Sequence, residues 1–413
     1  MQKQGAVSQM LEGFKIVEGG ITSAKGFHAS GLYCGIKKKR LDLAWCYSEV
    51  PANAAGVYTM NQFQAAPLVV TKASIAVEQK LQAILVNSGV ANACTGEQGL
   101  RDAYAMRQLL AGHFQIKDEY VAVTSTGVIG DLLPMDKITQ GIAQITDWQT
   151  CTEPHLFEQA IMTTDLVSKR VAVETIIDGK VITIGGAAKG SGMIKPNMAT
   201  MLGFVTTDAA VDPHSLQAAL RQVTDESFNM IAVDGDTSTN DMVLVLANGM
   251  AGNDLLTAEH PEWSKFLAAL HHVCQELAKK IARDGEGATK LIEVQVSGAR
   301  NVEVARGIGK TIIMSSLVKT AMFGKDPNWG RIVCAIGYSG QEMDPNKVEV
   351  SLGPINVFKK GVPTHFDEAQ AVKYLEEEHI QIFVELGLGE TQAVAWGCDL
   401  TYDYVRINAA YRT

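Results

Sequence analysis

The sequence Gly190-Ser-Gly-Met-Ile-Lys-Pro-Asn-Met-Ala-Thr-Met-Leu-Gly-Phe204 combines a loop and a strand around a single threonine. Its first half is rich in glycine and contains Pro196, whose ring fixes the backbone torsion φ, and this composition predicts a loop. The apolar second half, continuing from Met201 to Val205, predicts a buried β-strand. Thr200 therefore lies at the boundary between a loop and a strand.

Thr200 has two interpretations. It can be an ordinary strand residue, because β-branched side chains are common in strands. It can also be a nucleophile, but a hydroxyl needs an adjacent base, and cleavage after Ala199 would free the threonine's own α-amine for that role. Such a cut would leave chains of 199 and 214 residues. These residues taken alone favour the first interpretation.

The surrounding motif favours the second. The string Lys195-Pro-Asn-Met-Ala-Thr-Met-Leu202 closely resembles the self-cleavage motif of the glutamate N-acetyltransferase/ornithine acetyltransferase family of arginine biosynthesis. In that family, the threonine after the Met-Ala pair becomes the N-terminus of a second chain and carries the acetyl group. The resemblance extends over nearly the whole chain through further motifs: GGITSAKGFHASGLYCGIK (19–37), NSGVANACTGEQG (87–99), TSTGVIG (124–130), ARDGEGATK (282–290), GKDPNWGRI (324–332) and YVRINAAYRT (404–413).

The resemblance implies an acyltransferase that moves acetyl from N²-acetylornithine to L-glutamate through an acetyl-Thr200 ester, with ping-pong kinetics. It also implies self-cleavage between Ala199 and Thr200, an α chain of residues 1–199, a β chain of residues 200–413, and a heterotetramer of two cleaved pairs. Some members use acetyl-CoA as donor, so acetyl-CoA is a candidate co-substrate; no cofactor and no metal are expected.

Two other classes of protein remain open. A self-processing amidase or aminopeptidase would use the same threonine with water as acceptor. A non-catalytic ligand-binding protein would contain Thr200 merely as a strand residue.

The predicted oxyanion hole lies after the strand-like segment Val121 to Val123. The following residues, Thr124 to Gly130, predict a tight turn at the end of a strand, where backbone N–H groups can point into a cleft. A glycine at position 127 permits a close approach of the backbone. The resemblance assigns the oxyanion hole to Thr126 and Gly127.

The resemblance also implies a set of substrate-binding residues: Thr163, Lys189, Thr200, Glu286, Asn408 and Thr413. Lys189 lies in a predicted glycine-rich loop, and a cation there suits an α-carboxylate. The spacing of that segment is not that of a phosphate-binding P-loop. Thr164 is an alternative to Thr163.

Glu286, between Gly285 and Gly287, would bind the δ-ammonium of an ornithine compound or relay a proton. How the same pocket accepts the second carboxylate of glutamate stays open. Asn408 and Thr413 lie near the C-terminus, where the strand-like alternation of residues 402–408 is expected to hold the chain in place.

Composition limits the partners. The net charge of −9 argues against nucleic acid and anionic membranes, and the basic run Lys37 to Arg40 is interpreted as a solvated turn. No apolar run is long enough to span a bilayer, and the N-terminal segment predicts neither a secretory signal nor a transit peptide. Adjacent His271 and His272 point in different directions on a helix, so they are not expected to bind a metal together.

Seven scattered cysteines, with no C-x-x-C pair, predict mostly buried free thiols, as at Cys274 and Cys334. These thiols indicate a reducing compartment, the cytoplasm.

Alternating strand-like and helix-like periods predict an α/β fold. An apolar stripe at steps of three and four residues predicts a helix from Trp263 to Ala282, and Asp212-Pro213 predicts another helix start. The resemblance implies a four-layer α-β-β-α core plus a smaller α/β portion, with the active site between them. Strands are predicted at 83–86, 121–123, 181–184, 201–205, 242–246, 292–296, 332–336, 380–384 and 393–396.

Overall fold

The computed structural model describes residues 10–11, 13–145, 152–195 and 201–410. The chain divides into two compact units. Unit 1 comprises Met1–Gly190, Asn197–Asp225 and Thr237–Leu277, and unit 2 comprises Ser191–Pro196, Glu226–Asp236 and Ala278–Thr413.

The described part of unit 1 contains ten strands: β1 (Met10–Leu11), β2 (Phe14–Val17), β3 (Phe27–Leu32), β4 (Leu43–Tyr58), β5 (Lys80–Val90), β6 (Val121–Val128), β7 (Lys169–Ile177), β8 (Lys180–Lys189), β9 (Leu202–Thr207) and β11 (Met242–Ala247). They form one hydrogen-bonded sheet in the order β1-β2-β7-β8-β9-β11-β4-β5-β6, with β3 paired to β4.

Among the described residues, six helices accompany this sheet along the chain. They are α1 (Ala66–Glu78), α2 (Gly96–Phe114), α3 (Met135–Ala143), α4 (Pro154–Ile161), α5 (Pro213–Glu226) and α6 (Trp263–Arg283). Glu226, the last residue of α5, belongs to unit 2, and so does the end of α6 from Ala278 onward.

The long strand β4 joins the two halves of the sheet. Its first half pairs with β3 and β5, its second half pairs with β11, and the register shifts between Tyr47 and Ala52. Such an irregularity bends a strand and increases its twist. Both halves contribute to one apolar cluster, in which Phe157 of α4 meets Phe204 of β9 edge-on with ring centroids 5.6 Å apart.

Helices cover the outer faces of both halves. On β4 to β6, alternate residues such as Trp45 and Leu85 pack against α2 and α3. On the other half, Leu277 of α6 packs against Gly186 of β8, and Gln217 of α5 bonds to the backbone of Gly56 in β4. Unit 1 is therefore a four-layer α-β-β-α sandwich, and the predicted α/β fold class is confirmed.

Unit 2 is a smaller α/β unit. Its described strands and helices are β10 (Ile231–Ala232), β12 (Leu291–Ala299), α7 (Val302–Met314), α8 (Ser316–Phe323), α9 (Trp329–Gly337), β13 (Glu349–Leu352), β14 (Ile355–Lys359), β15 (Val362–Pro363), α10 (Glu368–Tyr374), β16 (His379–Glu385), β17 (Thr391–Cys398) and α11 (Tyr402–Ala409). The seven strands form a second sheet in the order β10-β17-β12-β16-β13-β14-β15, and helix α7 packs on β12 and β17.

Most predicted elements are present. Both predicted helices are confirmed as α5 and α6, and eight of the nine predicted strand segments fall in strands, with β9 starting one residue later than predicted, at Leu202. The segment 332–336 is wrong because it belongs to helix α9. There, Ile332, Ala335 and Ile336 are buried, whereas Cys334 is exposed. A spacing of three and four residues places those apolar side chains on one helical face.

The cysteine prediction is only partly confirmed. All six described cysteines are free, but three are buried, Cys46, Cys274 and Cys398, while Cys94 and Cys334 are exposed. Within the described ranges, no helix is long and apolar enough to cross a bilayer.

We expect the face of α2 to contribute strongly to the stability of unit 1. Replacing the fully buried Leu110 by Ala removes apolar contacts and leaves a cavity, so the free energy of unfolding should fall by about 2–5 kcal/mol. A lower midpoint of thermal unfolding would show this. Leu132→Ala is the matched control, because Leu132 is 54% exposed; an equal effect of both variants would contradict the packing argument.

Candidate active site

Three predicted site residues from distant parts of the sequence meet in unit 1. Lys189 is the last residue of β8, and its ammonium Nζ donates to the Thr163 hydroxyl at 2.8 Å and to the Thr126 hydroxyl at 3.4 Å. Lys189 is nearly buried, at 7% exposed. Its identification as a loop residue is therefore wrong in detail, because the glycine-rich segment continues the strand up to Lys189. Thr163 rather than Thr164 receives this bond.

A buried carboxylate organises this group. Asp165 accepts hydrogen bonds from the backbone N–H groups of Thr163 at 2.9 Å and Gly190 at 2.6 Å. It also accepts from the Lys169 ammonium at 2.7 Å and lies 4.0 Å from the Lys189 ammonium. Burial alone would raise the pKa of Asp165, but the charges of Lys189 and Lys169 and these hydrogen bonds hold it well below its usual range.

Sequence reasoning missed Asp165. The available signal was its position two residues after Thr163, with Lys169 four residues further on. The carboxylate and the two lysines form a buried ionic cluster in which Thr163, Gly190 and Lys189 have fixed positions.

The predicted oxyanion residues lie in a bulged strand pair. Strand β6 continues through Thr124 to Val128, so the expected tight turn is wrong. The parallel pairing with β5 extends this far, and Gly127 lies opposite Gly89 just before the register shifts at Val90.

Gly127 cannot be replaced without strain. Its φ is +132°, and a Cβ atom there would lie 2.2 Å from the carbonyl carbon of Gly89. Only glycine fits this conformation and this close approach. The bulge therefore sets the backbone direction at Thr126 and Gly127.

Two further predicted residues meet in unit 2. The Asn408 amide Nδ2 donates to the Glu286 carboxylate at 2.7 Å, and the Glu286 backbone N–H donates to the Ser191 carbonyl at 3.1 Å. The Glu286 carboxylate fills the space beside Gly192, where a Cβ atom would lie 2.3 Å from the carboxyl carbon. Burial, followed by the charges of Asp234 and Glu286, raises the pKa of Tyr404 on the neighbouring helix.

The predicted strand at residues 402–408 is wrong, because this segment is helix α11. Thr401 caps the helix by accepting from the Asp403 N–H at 3.2 Å, and its hydroxyl donates to the Gly287 carbonyl at 2.7 Å. This short helix is exposed, and its apolar and polar residues happen to alternate as they do in a strand. The cap ties the helix, and with it Asn408, to the loop containing Glu286.

Three predicted positions, Ala199, Thr200 and Thr413, lie outside the described residues. The nearest described strand to Thr200 is β9, whose first residue, Leu202, is the register partner of Lys189 across the β8–β9 pair. Among the described residues, no group of three or more His, Cys, Asp or Glu side chains is placed to hold a metal ion.

One basic residue behaves differently from its prediction. Lys38, Lys39 and Arg40 are exposed, as expected of a solvated turn, but Lys37 is half-buried. Its ammonium donates to the Met162 carbonyl at 2.6 Å and to the Leu41 carbonyl at 3.0 Å. No local pattern distinguishes Lys37 from the three basic residues that follow it.

A nearly buried lysine, two hydroxyls and a glycine held at a positive φ lie at the ends of two strands of an α/β core, an arrangement typical of enzymes that act on small molecules. The charge and geometry suit the binding of carboxylates. The ArgJ family model matches residues 28–413, and the chain belongs to the ArgJ family.

Relatives of high sequence identity support the membership of this family. The arginine biosynthesis bifunctional protein ArgJ of Halalkalibacterium halodurans is 57% identical over 408 residues, covering 98% of this chain and 99% of the relative. The protein of the same name from Geobacillus stearothermophilus is 56% identical over 398 residues, covering 96% and 97%.

A crystal structure of ArgJ from Bacillus halodurans is 57% identical and has a TM-score of 0.51; it covers 51% of this chain and 100% of its own. The predicted family, an enzyme family of arginine biosynthesis, is confirmed.

The ionic cluster generates a prediction about stability and its pH dependence. In Asp165→Asn, the buried Lys169 and Lys189 ammonium groups lose their counter-charge, so unfolding should cost about 3–5 kcal/mol less at pH 7. The folded-state pKa of Asp165 is depressed, so its contribution is present above the usual carboxyl pKa near 4 and is lost as pH falls.

The difference in thermal midpoint between wild type and Asp165→Asn should therefore shrink when the pH is lowered from 7 towards 3. Asp131→Asn, at an exposed position, is the control and should match wild type throughout. A difference that stays constant with pH would show that the carboxylate charge is not the stabilising feature.

Proposed function

We propose that this protein transfers acetyl from N²-acetylornithine to L-glutamate, with Thr200 as the nucleophile. One observation carries the proposal: Lys189, bonded to Thr126 and Thr163, pairs in register with Leu202. Thr200 precedes Leu202 by two residues, which span at most about 7 Å of extended chain. The predicted nucleophile is therefore a short chain segment away from the strand position that pairs with Lys189.

The residues of unit 1 suit two roles in acetyl transfer. The bulge at Thr126 and Gly127 would present donors to the oxygen that becomes negative when a hydroxyl attacks an acetyl carbonyl. Lys189 would bind the substrate α-carboxylate, with Thr163 orienting its ammonium. The Asp165 cluster holds both in place, which is what a preorganised site requires.

The residues of unit 2 suit recognition of the amino-acid side chain. Glu286, nearly buried and oriented by Asn408, would bind the δ-ammonium of acetylornithine. Thr413 completes the proposed binding set. These roles rest on the match of each position to the family motif together with the contacts described above.

The proposed reaction has two half-reactions. The Thr200 oxygen attacks the acetyl carbonyl, the C–N bond to ornithine breaks, and the hydroxyl proton passes through the α-amine of Thr200 to the leaving amine. The glutamate amine then attacks the acetyl ester, and the threonine oxygen recovers a proton. Both the donor and the product are acetyl amides, so the exchange needs no energy source.

Self-cleavage would supply the base for this reaction. The Thr200 hydroxyl attacks the Ala199 carbonyl, the C–N bond breaks to give an ester, and water hydrolyses it, leaving chains 1–199 and 200–413. The Bacillus halodurans crystal structure supports such a cut. All of its chain matches only 51% of this chain, as one of two fragments would. The Halalkalibacterium halodurans sequence, by contrast, matches 98% of this chain.

The proposal includes a heterotetramer of two cleaved pairs, acetyl-CoA as a second donor, and no metal or other cofactor. It also includes a cytoplasmic location, which the free thiols of the six described cysteines support, because free thiols persist in a reducing compartment.

The nucleophile is tested by substitution. Thr200→Ala should give one uncut chain near 44.4 kDa with no acetyl transfer, whereas wild type should give two fragments that break after Ala199. Thr200→Ser keeps the hydroxyl and should still be cut. Denaturing mass spectrometry measures the fragments, and an assay with acetylornithine and glutamate measures acetylglutamate.

Cut or active Thr200→Ala would refute the nucleophile assignment. Acetate in place of acetylglutamate would identify a hydrolase instead. Running the wild-type assay with acetylornithine and acetyl-CoA as separate donors establishes whether one or both are used.

Lys189 is tested by its effect on both substrates. Lys189→Met should raise the KM for acetylornithine and for glutamate by about tenfold or more, because each loses the cation that binds its α-carboxylate. Lys180→Met, at the exposed opposite end of the same strand, should leave both values unchanged. Normal KM values with a reduced kcat would assign Lys189 to the chemical step rather than to binding.

A further inference from the structure

Lys37 is held by a loop that a buried carboxylate fixes. Asp42 is 0% exposed, and its carboxylate accepts from three backbone N–H groups, those of Cys34 at 2.7 Å, Gly35 at 3.1 Å and Lys37 at 2.9 Å. Because the backbone at Lys37 is bonded in this way, the protein sets the direction of its side chain.

The side chain runs towards the residues proposed to bind substrate. Its ammonium donates to the carbonyl of Met162, and the next residue, Thr163, accepts from Lys189. Its stem packs beside Gly89, where a Cβ atom would lie 3.3 Å from the Lys37 Cγ. Gly89 pairs with Gly127. Lys37 thus contacts the segment that carries Thr163 and the strand β5, which pairs with the part of β6 that carries Thr126 and Gly127.

The local charge is positive. The Asp165 carboxylate is already bonded to Lys169 and lies beside Lys189, and Asp42 is occupied by backbone donors. In the part of the chain that the structure describes, the Lys37 ammonium is bonded to two neutral carbonyl groups and makes no ion pair. An anion brought here would therefore be stabilised.

The proposed substrates differ in the charge they bring. At neutral pH, acetylornithine carries one carboxylate and one ammonium, and the ornithine that leaves carries a further ammonium. Glutamate brings a second carboxylate. Its site therefore needs one more positive charge than the site for acetylornithine, and a carboxylate such as Glu286 cannot supply it.

We propose that Lys37 determines specificity for the acceptor by supplying the positive charge that the second carboxylate of glutamate requires. This inference rests on the proposed acetyl transfer and deepens it. Lys189 would serve the α-carboxylate common to both substrates, and Lys37 would serve the group that only glutamate has.

The pH dependence follows from the surroundings of Lys37. Burial, and then the charges of Arg40 and Lys189, lower the pKa of Lys37 to about 8, while carboxylates offset part of this effect. The charged groups on the elements packed against it are Arg40 and Asp42 of its own loop, Asp165 before β7, Lys189 of β8, and Lys137 of α3, which donates to the Gly35 carbonyl. Lys37 should therefore bind glutamate below pH 8 and lose this ability above it.

The test compares Lys37→Met, Lys37→Arg and the exposed neighbour Lys38→Met in purified enzyme. At pH 7, Lys37→Met should raise the KM for glutamate by about tenfold and the KM for acetylornithine by less than about threefold. Lys37→Arg should restore the glutamate KM, and Lys38→Met should match wild type. Between pH 7 and 9, the glutamate KM of wild type should rise relative to that of Lys37→Arg, which stays charged.

Equal increases in both KM values, an unchanged glutamate KM, or no recovery with Lys37→Arg would each overturn the inference. Fragment masses identify any variant that fails to fold and cut. Wild type that makes no acetylglutamate would refute the proposed function itself, whereas active wild type with a normal glutamate KM in Lys37→Met would refute only the role of Lys37.

Discussion

The Asp165 carboxylate is the interaction on which the candidate site depends. It is buried, it is bonded to Lys169 at the start of β7, and it binds backbone N–H groups at Thr163 and Gly190. A buried ion pair contributes little net stability, but it is strongly directional, and removing one partner leaves an unpaired charge. Its main consequence is geometric: the end of β8 and the segment after α4 are fixed together, and the Lys189 ammonium is held between two hydroxyls.

The charge of Lys37 offers a way for the proposed site to bind ligands of different charge. A lysine at its ordinary pKa near 10.4 is charged throughout the physiological range. Lys37 is different because burial and neighbouring cations make its charged form less stable. The pKa of such a lysine depends on the charge of the ligand beside it. An anionic ligand would raise the pKa and favour the charged form, whereas a cationic ligand would lower it.

The sequence predicted which site residues come together better than it predicted the secondary structure around them. Thr126, Gly127, Thr163 and Lys189 were identified through a motif resemblance, and the structure brings three of them into one hydrogen-bonded group. Asp165 and Lys37 were missed, since burial and long-range partners decide their roles and neither is visible in a local pattern.

The errors in secondary structure have a related cause. The segments 332–336 and 402–408 are short, and their apolar residues fit a period of two as well as a period near 3.6. Tertiary packing at Ile332 and the cap at Thr401 decide in favour of helix. Long segments with a sustained period, such as α6, were predicted correctly.

The strand order of unit 1 has a consequence for the two chains that cleavage would produce. Strands β9 and β11 come from residues after Thr200, yet they lie between β8 and β4, which come from residues before it. Separating the products would expose four long strand edges, and unpaired edges promote aggregation. The segments before and after Thr200 are therefore complementary parts of one sheet, so that a cut between them would leave two chains each of which supplies the missing strand neighbours of the other.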